Sequence, residues 1–253
     1  MPGLSLRRGL LALLVSLAPL TAHADEIIVS AAASLNNAFK DAAAGFEKKY
    51  PDHKVMFNFA ASGTLLQQID KGAPVDVFAS ADQKTMNLAV EKGLIDETAR
   101  QDFAVNSLVL IVPASSSLTI SGLADLAGVK RIAIGNPDSV PAGRYAKESL
   151  EKADLWEKLK EQYIYTQNVR QALDYVVRDE VDIGFVYGSD ANLVKDKVKN
   201  VLEVSLEKPV TYPIAPVKKS EHAEAARLFV DYILSDEGQK ILSDYGFSAV
   251  KGK

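Results

Sequence analysis

Residues 26–46 read Glu-Ile-Ile-Val-Ser-Ala-Ala-Ala-Ser-Leu-Asn-Asn-Ala-Phe-Lys-Asp-Ala-Ala-Ala-Gly-Phe. The first four have the apolar character of a buried strand, and Ser30 to Ser34 form a loop of small residues. From there Leu35, Phe39, Ala42 and Phe46 recur every three or four positions, the stripe of a helix that buries one face. This strand, small loop and helix recur along the chain. Residues 55–59 lead through 60–63 into a helix at 64–71, stopped by Gly72. Residues 131–134 lead through 135–143 into a helix carrying Tyr145 and Leu150, and 163–165 lead through 166–168 into a helix with Val169, Leu173 and Val176 on one face. Two further strands, 75–78 and 183–187, also run into small-residue loops. Alternating strands and helices predict an α/β fold with mostly parallel sheets. Two continuous apolar runs, 107–112 and 210–217, suit a chain that crosses from one lobe to another and returns, although core strands of a single sheet would read the same way.

The N-terminal 24 residues combine Arg7 and Arg8, an apolar stretch from Gly9 to Leu20 and the small-x-small ending Ala22-His23-Ala24. These are the parts of a secretory signal peptide, and the stretch is shorter than the roughly 20 residues a bilayer-spanning helix needs. Cleavage after Ala24 is expected, giving an exported, periplasmic chain. Without the two leader arginines, 27 Lys and Arg face 33 Asp and Glu, a formal charge of −6. That balance argues against a nucleic-acid partner, which requires a clustered basic surface. The chain has no cysteine, which excludes disulfides, thiolate metal sites and a lipid-bearing cysteine at the cleavage junction.

Open parallel α/β sheets bind ligands beyond the carboxyl ends of their strands, where the following helices begin. A helix start offers unpaired N–H groups and the positive end of its dipole, and so suits an anion. Loops of Ala, Ser and Gly let those N–H groups come close to a guest. Ser34, Ser62 and Asn168 stand at N-cap positions; each alone is an ordinary cap. The loop cores carry no histidine, lysine or arginine, although Arg144 and Arg170 directly follow two of them. Neutral donors can hold a dianion if enough of them converge. A site made only of donors also selects protonation state. Hydrogen phosphate must place its proton on an acceptor, whereas sulfate, molybdate and tungstate carry none near neutral pH. Asp138 would restore phosphate if it pointed inward.

Six segments resemble the periplasmic molybdate-binding proteins of ABC importers: 31–35 (Ala-Ala-Ala-Ser-Leu), 61–65 (Ala-Ser-Gly-Thr-Leu), 72–78 (Gly-Ala-Pro-Val-Asp-Val-Phe), 140–143 (Val-Pro-Ala-Gly), 168–170 (Asn-Val-Arg) and 186–190 (Val-Tyr-Gly-Ser-Asp). Tyr245-Gly246-Phe247 fits the same pattern, and the matches keep family order from Asp25 to Phe247. The resemblance implies a type II periplasmic-binding-protein fold: two lobes, each a central mostly parallel sheet flanked by helices, with ligand in the cleft between them. Residues 25–106 with 214–253 would form the first lobe and 107–213 the second. The resemblance further implies five oxyanion-binding positions. Ser34 and Ser62 would give hydroxyl and backbone donors from the first lobe, Ala142 and Val169 backbone N–H groups from the second, and Tyr187 its phenol. Molybdenum or tungsten would be held only as the oxyanion, with no cofactor. The expected partners are molybdate or tungstate and a membrane permease, with the chain a monomer.

Other readings are open. Sulfate, phosphate or another small anion could occupy the same fold, an organic carboxylate if Arg144 or Arg170 turned inward. A hydrolase using Ser34 or Ser62 would need an adjacent base, and the sequence has neither a histidine in the loops nor a G-x-S-x-G elbow. A pure interaction module would show a large apolar patch beyond what the core uses. The reading taken is a binding protein and not an enzyme.

Overall fold

The computed structural model describes residues 25–250, so the expected leader at 1–24 lies outside the described residues. The chain runs β1 (Asp25–Ala32), α1 (Asn36–Lys49), β2 (His53–Ala60), α2 (Ser62–Asp70), β3 (Val77–Ala79), α3 (Gln83–Glu91) and β4 (Gln101–Asn106). It continues through β5 (Leu108–Pro113), β6 (Ile132–Gly135), α4 (Pro141–Lys152), β7 (Tyr163–Thr166), α5 (Val169–Val177), β8 (Ile183–Tyr187), α6 (Gly188–Leu193) and β9 (Val198–Glu203). It closes with β10 (Val210–Pro216), α7 (Ala223–Leu234) and α8 (Asp236–Asp244).

Two five-stranded sheets result, ordered β2-β1-β3-β10-β4 and β7-β6-β8-β5-β9. In the first, β1 pairs parallel with β2 and β3, while β10 is antiparallel to β3 and β4. The second repeats the scheme, with β6 parallel to β7 and β8, and β5 antiparallel to β8 and β9. The expectation of mostly parallel sheets therefore holds for strand direction but not for pairing, which is mixed. The two reversed strands explain why. Both β5 and β10 are the first strand after the chain passes from one sheet to the other. The chain leaves a sheet at the carboxyl ends of its strands, so it enters the next from that side and must run away from it.

One crossing is the single residue Ser107 between β4 and β5; the other is residues 204–209 between β9 and β10. The return comes earlier than the sequence reading placed it, since Val210 already pairs with Asn106 and Tyr212 with Ala104. Residues 210–213 thus belong to the first sheet.

The helical stripe read from residues 35–46 is fully buried. Phe39 and Phe46 both meet Phe229 of α7 edge-on, with ring centroids 6.0 and 5.4 Å apart, a favoured arrangement for aromatic pairs. Each such buried side chain contributes about 1.5–3 kcal/mol. In β5 every residue is buried, which accounts for a continuous apolar run where a one-sided strand would alternate. One large apolar cluster takes in residues of both sheets, and the carboxyl ends of the two sets of strands face each other.

Candidate functional site

Six strand-to-helix junctions, three from each sheet, meet at one small cavity of about 10 Å³. That is room for about one water-sized guest and far below the hundreds of Å³ typical of organic-ligand pockets. Ser34 and Ser62 line it from one side, and Ala142, Val169 and Tyr187 from the other. All five positions singled out in the sequence therefore come together. The remaining wall is alanine with Val140, Pro141 and Asn168, and contains no charged side chain.

The hydroxyls are not used as the sequence reading expected. Neither Ser34 nor Ser62 caps a helix. The residue before α1 is Leu35 and the residue before α2 is Ala61, and neither helix has a side-chain cap. Ser34 lies in a single 3-10 turn, with its Oγ 3.0 Å from the Tyr212 hydroxyl. Ser62 is the first residue of α2, and its Oγ accepts from the Ala81 amide at 3.0 Å. That bond occupies an oxygen lone pair and leaves the Ser62 proton available. Of the expected caps only Asn168 is one, its Oδ1 accepting from Gln171 N at 3.0 Å. The N–H groups of Val169, first in α5, and Ala142, second in α4, belong to the turn that a helix cannot satisfy internally. Gly143 lets α4 begin this close to β6, because a Cβ there would stand 1.9 Å from the Gly135 oxygen.

Tyr187 carries the clearest local signal. Its ring is 1% exposed, and its hydroxyl has no hydrogen-bond partner among the described residues. A buried hydroxyl without a partner costs about 1–3 kcal/mol, and this one belongs to a residue in the cavity wall. Burial pushes the phenols of Tyr187 and Tyr212 well above their ordinary range, so both keep their protons.

Charge surrounds the cavity without entering it. Arg144 donates from Nε to Asp82 at 2.8 Å and from an Nη to Thr85 Oγ1 at 2.7 Å, reaching from α4 to the start of α3. Arg170 pairs with Asp190 at 2.5 Å and donates to Asn37 Oδ1 at 2.8 Å and the Ser34 carbonyl at 3.1 Å. Burial raises the Asp190 carboxyl from its ordinary value, and Arg170 pulls against that rise. Both arginines, left open by the sequence, bridge to the facing sheet's elements and neither lines the cavity, although Arg170 touches the backbone of Ser34 in its wall. Gly63 N donates to the Ser139 carbonyl at 3.0 Å across the same divide, and a Cβ on Gly63 would stand 2.7 Å from that oxygen. Asp138 is exposed and outside the wall. His222 lies against Asp76 at 3.3 Å and His53 stacks on Phe46, so neither serves as a base for Ser34 or Ser62.

Sequence reasoning missed Asp82, Asn106 and Tyr212. Asp82 partners Arg144 from 62 positions away, and Tyr212 meets Ser34 across 178, distances at which one sequence gives no signal.

Comparison with known proteins identifies the family. The sequence model of the bacterial extracellular solute-binding protein family matches residues 27–248. The chain is 42% identical to the molybdate-binding protein ModA of Escherichia coli, covering 90% of this chain and 91% of that one. It is 38% identical to ModA of Haemophilus influenzae, covering 88% and 90%. Among solved structures, the substrate-binding domain of a molybdenum ABC transporter from Clostridium difficile is 40% identical, with a TM-score of 0.68 over 89% of this chain and 99% of that one. The periplasmic molybdate-binding protein of Azotobacter vinelandii, 24% identical, has the same fold with a TM-score of 0.79 over 89% of this chain and all of its own.

Proposed function

This chain belongs to the bacterial extracellular solute-binding protein family, and from that premise we propose that it captures molybdate, and tungstate with it, for an ABC importer. The observation that carries the reading is a small cavity to which both sheets contribute hydroxyls and helix-start amides but no charged side chain. Relatives at 38–42% identity are named molybdate-binding proteins, and the cavity chemistry fits that ligand. A tetrahedral dianion with no proton to give is matched by a wall of donors. Hydrogen phosphate would bring a proton that no carboxylate of the wall can accept.

In this reading Ser34, Ser62 and Tyr187 give hydroxyl protons, and Ala142 and Val169 give N–H groups at the positive ends of α4 and α5 respectively. Residues 25–106 with the segment from about 210 form one lobe, and the intervening chain the other. The lobes close about Ser107 and residues 204–209, and the membrane permease reads the closed surface. The 24-residue leader directs the protein across the inner membrane, where it works in the periplasm as a monomer.

A thermal-shift panel with molybdate, tungstate, sulfate, phosphate and ferric citrate tests this. A ligand that binds only the folded state raises the melting temperature by mass action. Molybdate and tungstate are expected to raise it strongly, the others little. A larger shift with sulfate or phosphate, or none with any oxyanion, would overturn the assignment.

A further inference from the structure

Asn106 ends β4 at the crossing between the sheets, and its amide orientation is fixed by its neighbours. Its Oδ1 faces the backbone N–H of Ser107 at 3.0 Å and of Ser189 at 3.3 Å, groups that can only donate. The Nδ2 must therefore face the other way, where it reaches Ser189 Oγ at 2.8 Å and the Tyr212 hydroxyl at 3.3 Å. A phenol that accepts from an amide has its own proton to give, and the Tyr212 hydroxyl's other neighbour is Ser34 Oγ at 3.0 Å. Ser34 then accepts from Tyr212 and keeps its own proton for the cavity.

We infer that Asn106 and Tyr212 form a one-way hydrogen-bond relay that holds Ser34 as a donor to the bound oxyanion. Both are positioning residues outside the cavity wall. The inference rests on the reading of the cavity as an oxyanion site and deepens it by assigning where donor-only selectivity originates. With the opposite polarity, Ser34 would spend its proton on Tyr212 and present lone pairs to the guest. The site would then repel molybdate at that position and welcome the proton of hydrogen phosphate. Ser62 reaches the same state by a different route, through the Ala81 amide. The wall is thus donor-only because of what stands behind it.

The test is a double-mutant cycle read by calorimetric titration of molybdate and of phosphate into the purified protein. Asn106→Asp replaces the amide donor with an acceptor, so Tyr212 turns its proton to residue 106 and Ser34 turns its proton to Tyr212. Molybdate affinity should fall at least about ten-fold, the effect of losing one charge-assisted hydrogen bond, and the phosphate-to-molybdate ratio should rise by a similar factor. In the Tyr212→Phe background Ser34 keeps its proton whatever stands at 106. There the same Asn106→Asp change should alter affinity less than about two-fold, which neither a packing role nor simple charge repulsion would produce. If Asn106→Asp fails to fold, Asn106→Ala enters the same cycle, with a several-fold loss expected only when Tyr212 is present. Equal losses in both backgrounds, with the wild type binding molybdate, would overturn the relay alone. A wild type that binds neither molybdate nor tungstate would overturn the oxyanion reading and the relay with it.

Discussion

Tyr187 has a hydroxyl that no group among the described residues pairs, buried in the wall that Ser34 and Ser62 share. Removing that oxygen should therefore have opposite signs on folding and on binding. Tyr187→Phe is expected to leave the melting temperature of the ligand-free protein unchanged or raised, because no bond is lost and a burial cost disappears. The same variant should bind molybdate about ten- to a hundred-fold more weakly, as should Ser34→Ala and Ser62→Ala, since bonds to a charged group contribute about 1.5–3 kcal/mol each. Calorimetry and thermal melting on the three variants check both halves; unchanged titration curves would put the site elsewhere. Ser34 and Ser62 were visible in the sequence because hydroxyls in small-residue loops advertise themselves. Tyr187, Ala142 and Val169 were nominated only by resemblance to a family: Tyr187 ends an apolar strand and reads as core, and the other two offer backbone amides. The partners that set each hydroxyl's polarity were invisible for another reason: Ala81, Tyr212 and Asn106 meet their targets only through the fold.

Helix starts carry the remaining donors. Asn168 caps α5 through Gln171 N and so fixes the first turn in which the Val169 N–H is presented. Asn168→Ala should cost about 0.5–2 kcal/mol of stability and weaken molybdate binding, whereas Asn168→Asp should preserve stability because its carboxylate can still cap. A matched loss of both stability and affinity in Asn168→Asp would contradict a capping role. At this scale the sequence was a good guide. The helices with sharp apolar stripes and the strands bounded by small-residue loops stand close to where periodicity put them. β4 and β9 were not anticipated: most of their residues are half-buried or exposed, too weakly apolar to stand out. The reversed strands β5 and β10 could not be foreseen from strand–helix alternation, since their direction follows from where the chain crosses.

Across the whole molecule, closure depends on groups that never touch the guest. Arg144 and Asp82 are both nearly buried and join α4 to the start of α3. With the lobes apart, water would solvate either alone, so the penalty for a lone carboxylate falls on the closed form. Arg144→Ala is accordingly expected to weaken molybdate binding by at least about ten-fold, although Arg144 lies outside the cavity wall. The Asp82→Ala, Arg144→Ala double variant should recover part of that loss, because the unpaired carboxylate is gone. Titration curves unchanged by Arg144→Ala would show that the pair does not support closure. From sequence alone Arg144 is a lone cation beside a loop, and its indirect role appears only once Asp82 stands opposite.

Neutral dipoles gripping a dianion, with every formal positive charge kept outside the wall, is the claim on which these expectations depend. A crystal structure of the protein grown with molybdate, phased on the anomalous signal of the metal, tests it most directly. The account predicts one strong peak within hydrogen-bonding reach of Ser34, Ser62, Ala142, Val169 and Tyr187, with Arg144 and Arg170 still bound to Asp82 and Asp190. A peak elsewhere, or an arginine turned in to hold the oxyanion, would contradict it.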